Sequence, residues 1–422
     1  MDTIKKNTVK LYASTALYNL AVLLLAGSLM QTYLNALGIA YGLIGVFTSF
    51  IQIVNVTVSV IFAGLGDKTK RTKQFSVVTI FPILLFAALL LPFCFISGID
   101  AKVIFVLILI GGGIYAAFSA LKTIFVYKLP YQLIDMKDYV AFASKEGIIS
   151  GICSAAAGVL LIFAVRYLPF LHVMACAFIT VVVLLVSTAF LIGSMTVGKP
   201  DDTYIKEREK NSRGVLGVLR TKSFSALIAP NVARGLAIGV FGMAAVVGLG
   251  SGVLSAELSV WLVPLGSAAA VISSLSRLLI KRISNSWFCL LGSVLMCVMP
   301  LMAYGGIYVF MAVFAIASIG YYIIAWACPL VVYEIVSYEI ISAYSTYRMV
   351  LTTAGSAAAS FAVGFILGKV PVVYLFAFAA LCQLYSGIAY YFVSKSVRRQ
   401  ILIDLRNTIS LEMLAKEEST QK

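Results

Sequence analysis

The chain has 422 residues, of which 61% are hydrophobic and 12% are charged, and its mean hydropathy is +1.02. Soluble domains carry about 25% charged residues, so this composition excludes an ordinary water-soluble protein and predicts an all-α polytopic membrane protein. The formal net charge of +15 does not indicate a nucleic-acid partner. The basic residues lie in short segments between apolar runs and are not gathered on one soluble surface.

Twelve apolar runs are long enough to cross a bilayer, since a spanning helix needs about 20 apolar residues. In chain order the predicted helices are 10–36, 41–66, 75–96, 102–127, 146–166, 170–197, 223–249, 254–280, 287–304, 306–331, 343–368 and 371–395. They form two groups of six, which predicts twelve transmembrane helices in two pseudo-symmetric six-helix bundles. The predicted domains are a first bundle at 1–197, a cytoplasmic linker at 198–222, a second bundle at 223–396 and a cytoplasmic tail at 397–422.

Lysine and arginine residues predict the orientation, because they are enriched in cytoplasmic loops. With the N-terminus inside, all but four of the 32 basic residues fall in cytoplasmic segments; the exceptions are Lys102, Arg166, Arg234 and Lys369. The first run has no small-residue cleavage pattern, so no removable signal peptide is predicted. We therefore predict a multi-pass protein of the cell membrane with both termini cytoplasmic, surrounded by the lipid bilayer.

The loop after the second run reads Ala-Gly-Leu-Gly-Asp-Lys-Thr-Lys-Arg-Thr-Lys over residues 63–73. This segment resembles the loop signature of the major facilitator superfamily, Gly-x-x-x-Asp-Arg/Lys-x-Gly-Arg-Arg/Lys, at the position where that family carries it. Asp67, Lys68 and Arg71 match the signature, whereas Ala63 and Lys70 stand at its glycine positions. The resemblance implies secondary transport by alternating access and assigns no subfamily.

A looser likeness connects the segment containing Pro130 and Asp138 with cation-coupled sugar carriers. Those carriers place acidic residues in helix two, where this chain has Asn55, so their cation site is not transferred to it.

The charged loop has a predicted gating role. The eleventh predicted helix starts near Ala343, so its first amides carry partial positive charge that would attract Asp67. The family resemblance implies that such an aspartate latches the cytoplasmic ends together; the alternative is that Asp67 only caps helix ends or offsets the neighbouring lysines. The predicted gating residues are Gly64, Asp67, Lys68, Arg71 and Arg348.

Arg234 is the one charged residue predicted at mid-membrane depth. It lies about 18 Å from Lys222 along the seventh predicted helix, at about 1.5 Å per residue. A charge at that depth is costly and marks a functional pathway, and a guanidinium fork suits a carboxylate or phosphate. The alternative is that Arg234 bonds to backbone carbonyls and holds the helices together. No buried carboxylate partner is predicted, because the acidic residues lie in loops, tails or helix ends.

Polar and aromatic residues at mid-depth are predicted to line a cavity with Arg234. For each of them, an interhelical hydrogen bond or plain packing is the alternative. The predicted lining residues are Asn231, Asn19, Tyr18, Gln52, Asn55, Tyr115, Tyr321 and Trp326. The family resemblance implies that helices one, four, seven and ten surround such a cavity.

We therefore predict a transporter of a small polar or anionic solute that works as a monomer, with the coupling ion left open. An exporter of amphipathic compounds, a sugar carrier and a non-transporting sensor on the same fold are the alternatives. An enzyme is not predicted, because the acid pair Asp135 and Asp138 has no histidine or metal motif beside it. The seven cysteines lack metal-ligand spacing and no phosphate-binding loop occurs, so no cofactor is predicted.

Overall fold

The computed structural model describes residues 2–62, 71–96, 98–126, 139–196, 222–279, 283–335 and 341–420. Within these residues twelve helices are long and apolar enough to cross a membrane, at the positions of the twelve predicted runs. The prediction of twelve spanning helices is confirmed. Because the number of spanning helices is even, both chain ends lie on the same side of the membrane. We call this the termini side, and we call the other the opposite side.

The first six spanning helices are α1 (Asp2–Leu25 and Gly27–Ala36), α2 (Tyr41–Ile61), α3 (Thr72–Val78, Ile80–Leu90 and the 3-10 turn Pro92–Cys94), α4 (Ala101–Val126), α5 (Tyr139–Tyr167) and α6 (Phe170–Gly193). The second six are α7 (Lys222–Gly242), α8 (Ala256–Ser259 and Leu262–Leu279), α9 (Asn285–Met296 and the 3-10 turn Met299–Ala303), α10 (Ile307–Ile335), α11 (Ile341–Ile366) and α12 (Val372–Thr420). A break within α1 precedes Gly27, whose φ of 67° favours glycine.

The two halves pack in the same way. In the first half α1 contacts α5 and α6, α2 contacts α4, and α3 contacts α4 and α6. In the second half α7 contacts α11 and α12, α8 contacts α10, and α9 contacts α10 and α12. Adding six to each helix number of the first set yields the second set, as expected for repeated bundles. The predicted architecture of two pseudo-symmetric six-helix bundles is confirmed.

The halves meet along two helix pairs, α2 with α11 and α5 with α8. Small residues allow these helices to approach closely. A Cβ atom placed on Gly45 of α2 would lie 2.7 Å from the carbonyl oxygen of Ser360 on α11, and one on Gly158 of α5 would lie 2.6 Å from Cδ of Pro264 on α8. Side chains larger than hydrogen at these glycines would therefore push the halves apart.

Hydrogen bonds between the halves close the opposite side. Gln31 Nε2, at the end of α1, donates to the carbonyl oxygen of Gly242 at 2.9 Å, and Thr32 Oγ1 donates to Ser259 Oγ at 2.9 Å. Both side chains are buried. Opening this side would therefore require both bonds to break.

The last helix continues well beyond its membrane-spanning part. α12 runs without a break from Val372 to Thr420, whereas its apolar span ends at Val397. The predicted boundary at 396 between the second bundle and the tail therefore falls inside a continuous helix. That boundary remains a sequence prediction.

Candidate functional site

Arg234 lies in the closely packed contact between α7 and α11. The two helices approach because Gly235 and Gly239 on α7 face the backbone of α11: a Cβ atom on Gly235 would collide with the carbonyl oxygen of Thr352, and one on Gly239 with that of Ser356. The sequence around Arg234 thus favours backbone contact over side-chain packing. This contact holds the start of α11 beside the arginine.

The Arg234 side chain is 6% exposed, and its Nε and Nη1 atoms are buried without a hydrogen-bond partner among the described residues. Arg348 on α11 is half-buried, and its Nε atom is likewise buried without such a partner. Buried guanidinium donors that lack partners are costly. A group outside the described residues would be needed to accept these bonds.

A cavity of about 240 Å³ contains both arginines on its wall. Its lining residues are Arg234, Thr346, Arg348, Met349, Thr352 and Thr353. Thr352 Oγ1 is another buried polar atom without a partner in the described structure. Among the residues that the structure describes, no acidic side chain lines this cavity, and two cations and threonine hydroxyls face the same small volume. We call this the arginine cavity.

Asn231, predicted to line a cavity with Arg234, makes two hydrogen bonds within the second half. Its Nδ2 donates to the carbonyl oxygen of Leu227 at 2.7 Å, and its Oδ1 accepts a 2.7 Å bond from the hydroxyl of Tyr390 on α12. Its side chain is 1% exposed. These bonds satisfy the amide and join α7 to α12.

A second, larger cavity of about 450 Å³ lies between the halves, walled by α1 and α5 on one side and α8 and α10 on the other. Its lining residues include Asn19, Ser150, Ser154, Ser267, Ser273, Ser274, Tyr322 and Trp326. We call this the central cavity. Asn19 Nδ2 donates to Ser150 Oγ at 3.1 Å, and Trp326 Nε1 donates to Ser273 Oγ at 2.9 Å. Two of the predicted lining residues, Asn19 and Trp326, therefore lie on this wall.

The other predicted lining residues lie outside both walls. The Tyr18 hydroxyl is 3.0 Å from Ser119 Oγ, and the buried Tyr115 ring stacks on Phe86 with 5.2 Å between centroids. Tyr321 contacts the rings of Phe241 and Tyr322. On α2, Gln52 and Asn55 are half-buried, and Gln52 Oε1 has no partner within the described ranges.

A buried charged cluster in the first half was not predicted. Lys122 on α4 is 2% exposed, and its Nζ lies 2.8 Å from the centroid of the Tyr18 ring. Glu146 on α5 is half-buried and is close enough to act on Lys122 through its charge. Arg234 is therefore not the only deeply buried cation, and Glu146 lies within a spanning helix.

This cluster is not evident from the sequence for a definite reason. Lys122 is grouped there with the cytoplasmic basic residues, and a fifth helix predicted to begin at 146 makes Glu146 a helix end. In the structure α5 begins at Tyr139, so Glu146 lies two turns inside it, and Lys122 lies one turn before the end of α4. The spacing of Ser119 and Lys122, which share one face of α4 with Tyr115, was the available signal.

The predicted gating residues divide into two groups. Gly64, Asp67 and Lys68 lie outside the described residues. Arg71 is exposed just before α3, and Arg348 faces the arginine cavity. The latch between Asp67 and the start of α11 stays a prediction.

Comparison with known proteins identifies the fold. No family model and no curated protein match the sequence. A variant of the fucose:proton symporter of E. coli is 15% identical with a TM-score of 0.63, covering 93% of this chain and 99% of the symporter. A bacterial homologue of the iron transporter ferroportin, in an inward-facing state, is 15% identical with a TM-score of 0.66, covering 92% and 98%. A variant of a nucleoside transporter is 12% identical with a TM-score of 0.66, covering 92% and 99%.

These solved structures are all transporters. At such low identities the likeness establishes the fold alone. The chain therefore shares the fold of these transporters, as the resemblance of the charged loop after the second helix implies.

Proposed function

We propose that the protein is a secondary transporter that moves a small anionic solute by alternating access, with Arg234 as the anchor for its carboxylate or phosphate group. The observation that carries this proposal is the burial of Arg234 in a spanning helix with two donor atoms unpartnered, on the wall of a cavity shared with Arg348. An anion of matching size would accept these bonds and offset both charges. The neighbours of the same fold are transporters, which supports the transport class.

The two sides of the molecule fit an alternating-access cycle. The bonds of Gln31 and Thr32 hold the opposite side closed, so the described state would exchange solute with the termini side. The distribution of basic residues makes the termini side cytoplasmic. In the other state these bonds would break, and contacts at the cytoplasmic ends, including the predicted Asp67 latch, would form.

A second candidate is a neutral, hydroxyl-rich solute bound in the central cavity. That cavity presents serine hydroxyls and an asparagine amide beside Tyr322 and Trp326, which suits the hydrogen bonding and stacking of a sugar or nucleoside. The fucose and nucleoside transporters among the structural neighbours favour the same class. Under this candidate Arg234 would be structural.

A thermal-unfolding screen of the purified protein tests both candidates. Wild type and Arg234→Gln are compared in the presence of small carboxylates, phosphates, neutral sugars and amphipathic cations, with Arg166→Gln as a control at an exposed arginine. An anion at about 100 times its dissociation constant is expected to stabilise wild type and Arg166→Gln by about 2.7 kcal/mol and to leave Arg234→Gln unchanged. Solute flux in proteoliposomes then separates a transporter from a sensor.

Two outcomes of the screen would contradict the anion proposal. Equal stabilisation of all three proteins by neutral sugars would replace the anion proposal with the second candidate. Equal stabilisation by amphipathic cations would favour an exporter. In both cases Arg234 would hold the helices together without binding solute.

A further inference from the structure

Two thiols are in contact within the second half of the protein. Cys289 on α9 and Cys328 on α10 have their Sγ atoms 3.4 Å apart, and the two residues are 0% and 1% exposed. All seven cysteines lie in the described part of the chain and all are free thiols. Cys94 and Cys297 bond to other groups, whereas Cys289 and Cys328 bond to each other.

The pair lies within the electrostatic reach of the two arginines. Arg234 and Arg348 act through their charges on both Cys289 and Cys328. Cationic neighbours are the setting in which cysteine thiols react with oxidants. The same two arginines line the arginine cavity, so they connect the thiol pair with the proposed anion site.

The geometry allows a bond between the two sulfurs. A disulfide has a sulfur separation of about 2.05 Å, so the atoms need to approach by about 1.4 Å. The two helices are neighbours within the second bundle, and the bond would therefore link them without joining the two halves. Alternating access between the halves would remain available in the oxidised protein.

We propose that Cys289 and Cys328 form a reversible disulfide on reaction with a small peroxide, and that this disulfide strengthens anion binding at Arg234 and Arg348. In the first step one thiolate attacks a peroxide oxygen, the O–O bond breaks, and a sulfenic acid and hydroxide form. In the second step the other thiolate attacks the sulfenic sulfur and releases a second hydroxide. Two thiols and one hydrogen peroxide thus give one disulfide and two waters, the sulfurs losing two electrons to the peroxide oxygens.

The direction of the effect follows from charge. A thiol beside the guanidinium groups can release its proton and become a negative charge that competes with the solute anion. A disulfide has no proton to release, so the arginines keep their full attraction for the anion. We expect the oxidised protein to bind anions on the order of fivefold more tightly, at the lower end of typical coupling between sites.

The first measurement detects the bond. The purified full-length protein is treated with hydrogen peroxide, unfolded in N-ethylmaleimide, digested and analysed by mass spectrometry. We expect a linked peptide pair containing Cys289 and Cys328 that disappears on reduction, with Cys382 still alkylated. Unlinked, alkylated Cys289 and Cys328 under conditions that oxidise the exposed Cys153 would overturn the proposal.

The second measurement tests the effect on binding, and it rests on the proposed anion function. Unfolding temperatures are recorded against phosphate and citrate concentration for reduced and oxidised wild type, Cys289→Ser and the control Cys382→Ser. We expect the half-saturating concentration to fall about fivefold on oxidation in wild type and Cys382→Ser, and to stay constant in Cys289→Ser. Equal values in both redox states of wild type would refute the effect on binding.

The two proposals fail in distinguishable ways. If phosphate, citrate and the other anions stabilise neither redox state, both the proposed anion function and the proposed effect of oxidation on anion binding are refuted. The mass spectrum then still decides whether the thiol pair is redox-active.

Discussion

Replacing Gly235 with alanine is expected to destabilise the protein by about 1–3 kcal/mol or more, the usual cost of overpacking a close contact. The added methyl group would collide with the carbonyl oxygen of Thr352 and lie 3.0 Å from Cα of Gly355, both backbone atoms of α11. Neither atom can rotate away, so α7 and α11 must separate. The change would show as a lower unfolding temperature of the purified protein.

Gly266→Ala is the matched control for this prediction. Gly266 also lies within a spanning helix, but the nearest atom to a Cβ placed there is Phe314 Cε1 at 4.0 Å. Alanine is better than glycine in a helix interior by roughly 0.5–1 kcal/mol, so this variant should unfold at the same or a higher temperature. Equal destabilisation by both changes would show that the α7 and α11 contact is not as close as described.

Separation of α7 from α11 should also weaken anion binding. Arg234 precedes Gly235 directly, and Arg348 lies one turn before Thr352, so the two guanidinium groups would move apart. An anion that bridges them in wild type should therefore give a smaller stabilisation in Gly235→Ala than in Gly266→Ala.

The second large effect is expected at Lys122. Replacing Lys122 and Glu146 together with methionine, which has a similar length, should raise stability by about 1–4 kcal/mol, the range found when a buried charge pair is replaced by well-packed apolar groups. Burial of an ammonium ion costs several kcal/mol, whereas contact with the Tyr18 ring returns about 2 kcal/mol. Both residues are changed because removing Lys122 alone would leave Glu146, which lies within a spanning helix, without this opposite charge.

Lys102→Met is the control for Lys122. Lys102 is exposed at the start of α4, and a surface change of this kind stays within about 0.5 kcal/mol. A clear fall in the unfolding temperature of the double variant Lys122→Met, Glu146→Met would mean that the contacts of Lys122 with Tyr18 and Glu146 outweigh the cost of their desolvation. A rise would indicate that the lysine is kept at a cost in stability, as residues needed for function often are.

The sequence was sufficient for features that depend on local composition. Spanning helices follow from apolar length, and Arg234 was evident because a lone charge interrupts a long apolar run. Features that depend on contacts between distant segments were not predictable. Arg348 is on the wall with Arg234 because glycines bring α11 against α7, and no local pattern around Arg348 indicates this.

The same limit applies to other contacts between distant residues. The bond of Asn231 to Tyr390 is not evident from the sequence, because Tyr390 is 159 residues further along the chain. Lys122 is grouped with the cytoplasmic residues because a charge near a helix end can extend to water, whereas in the structure Tyr18 of α1 and Glu146 of α5 lie beside it. The pairing of Cys289 with Cys328 likewise follows from the packing of α9 on α10.

The glycines along α5 also determine how the two halves can move. Cβ atoms placed on Gly147 and Gly151 would touch Ser274 and Val271 of α8, and one on Gly158 would touch Pro264. A contact made largely by backbone and short side chains has little interdigitation, so one helix can shift along the other without repacking large side chains. We therefore expect little resistance to sliding of α5 along α8. The rate of interconversion between the two states of the transporter should then depend mainly on the polar bonds at the two ends of the molecule.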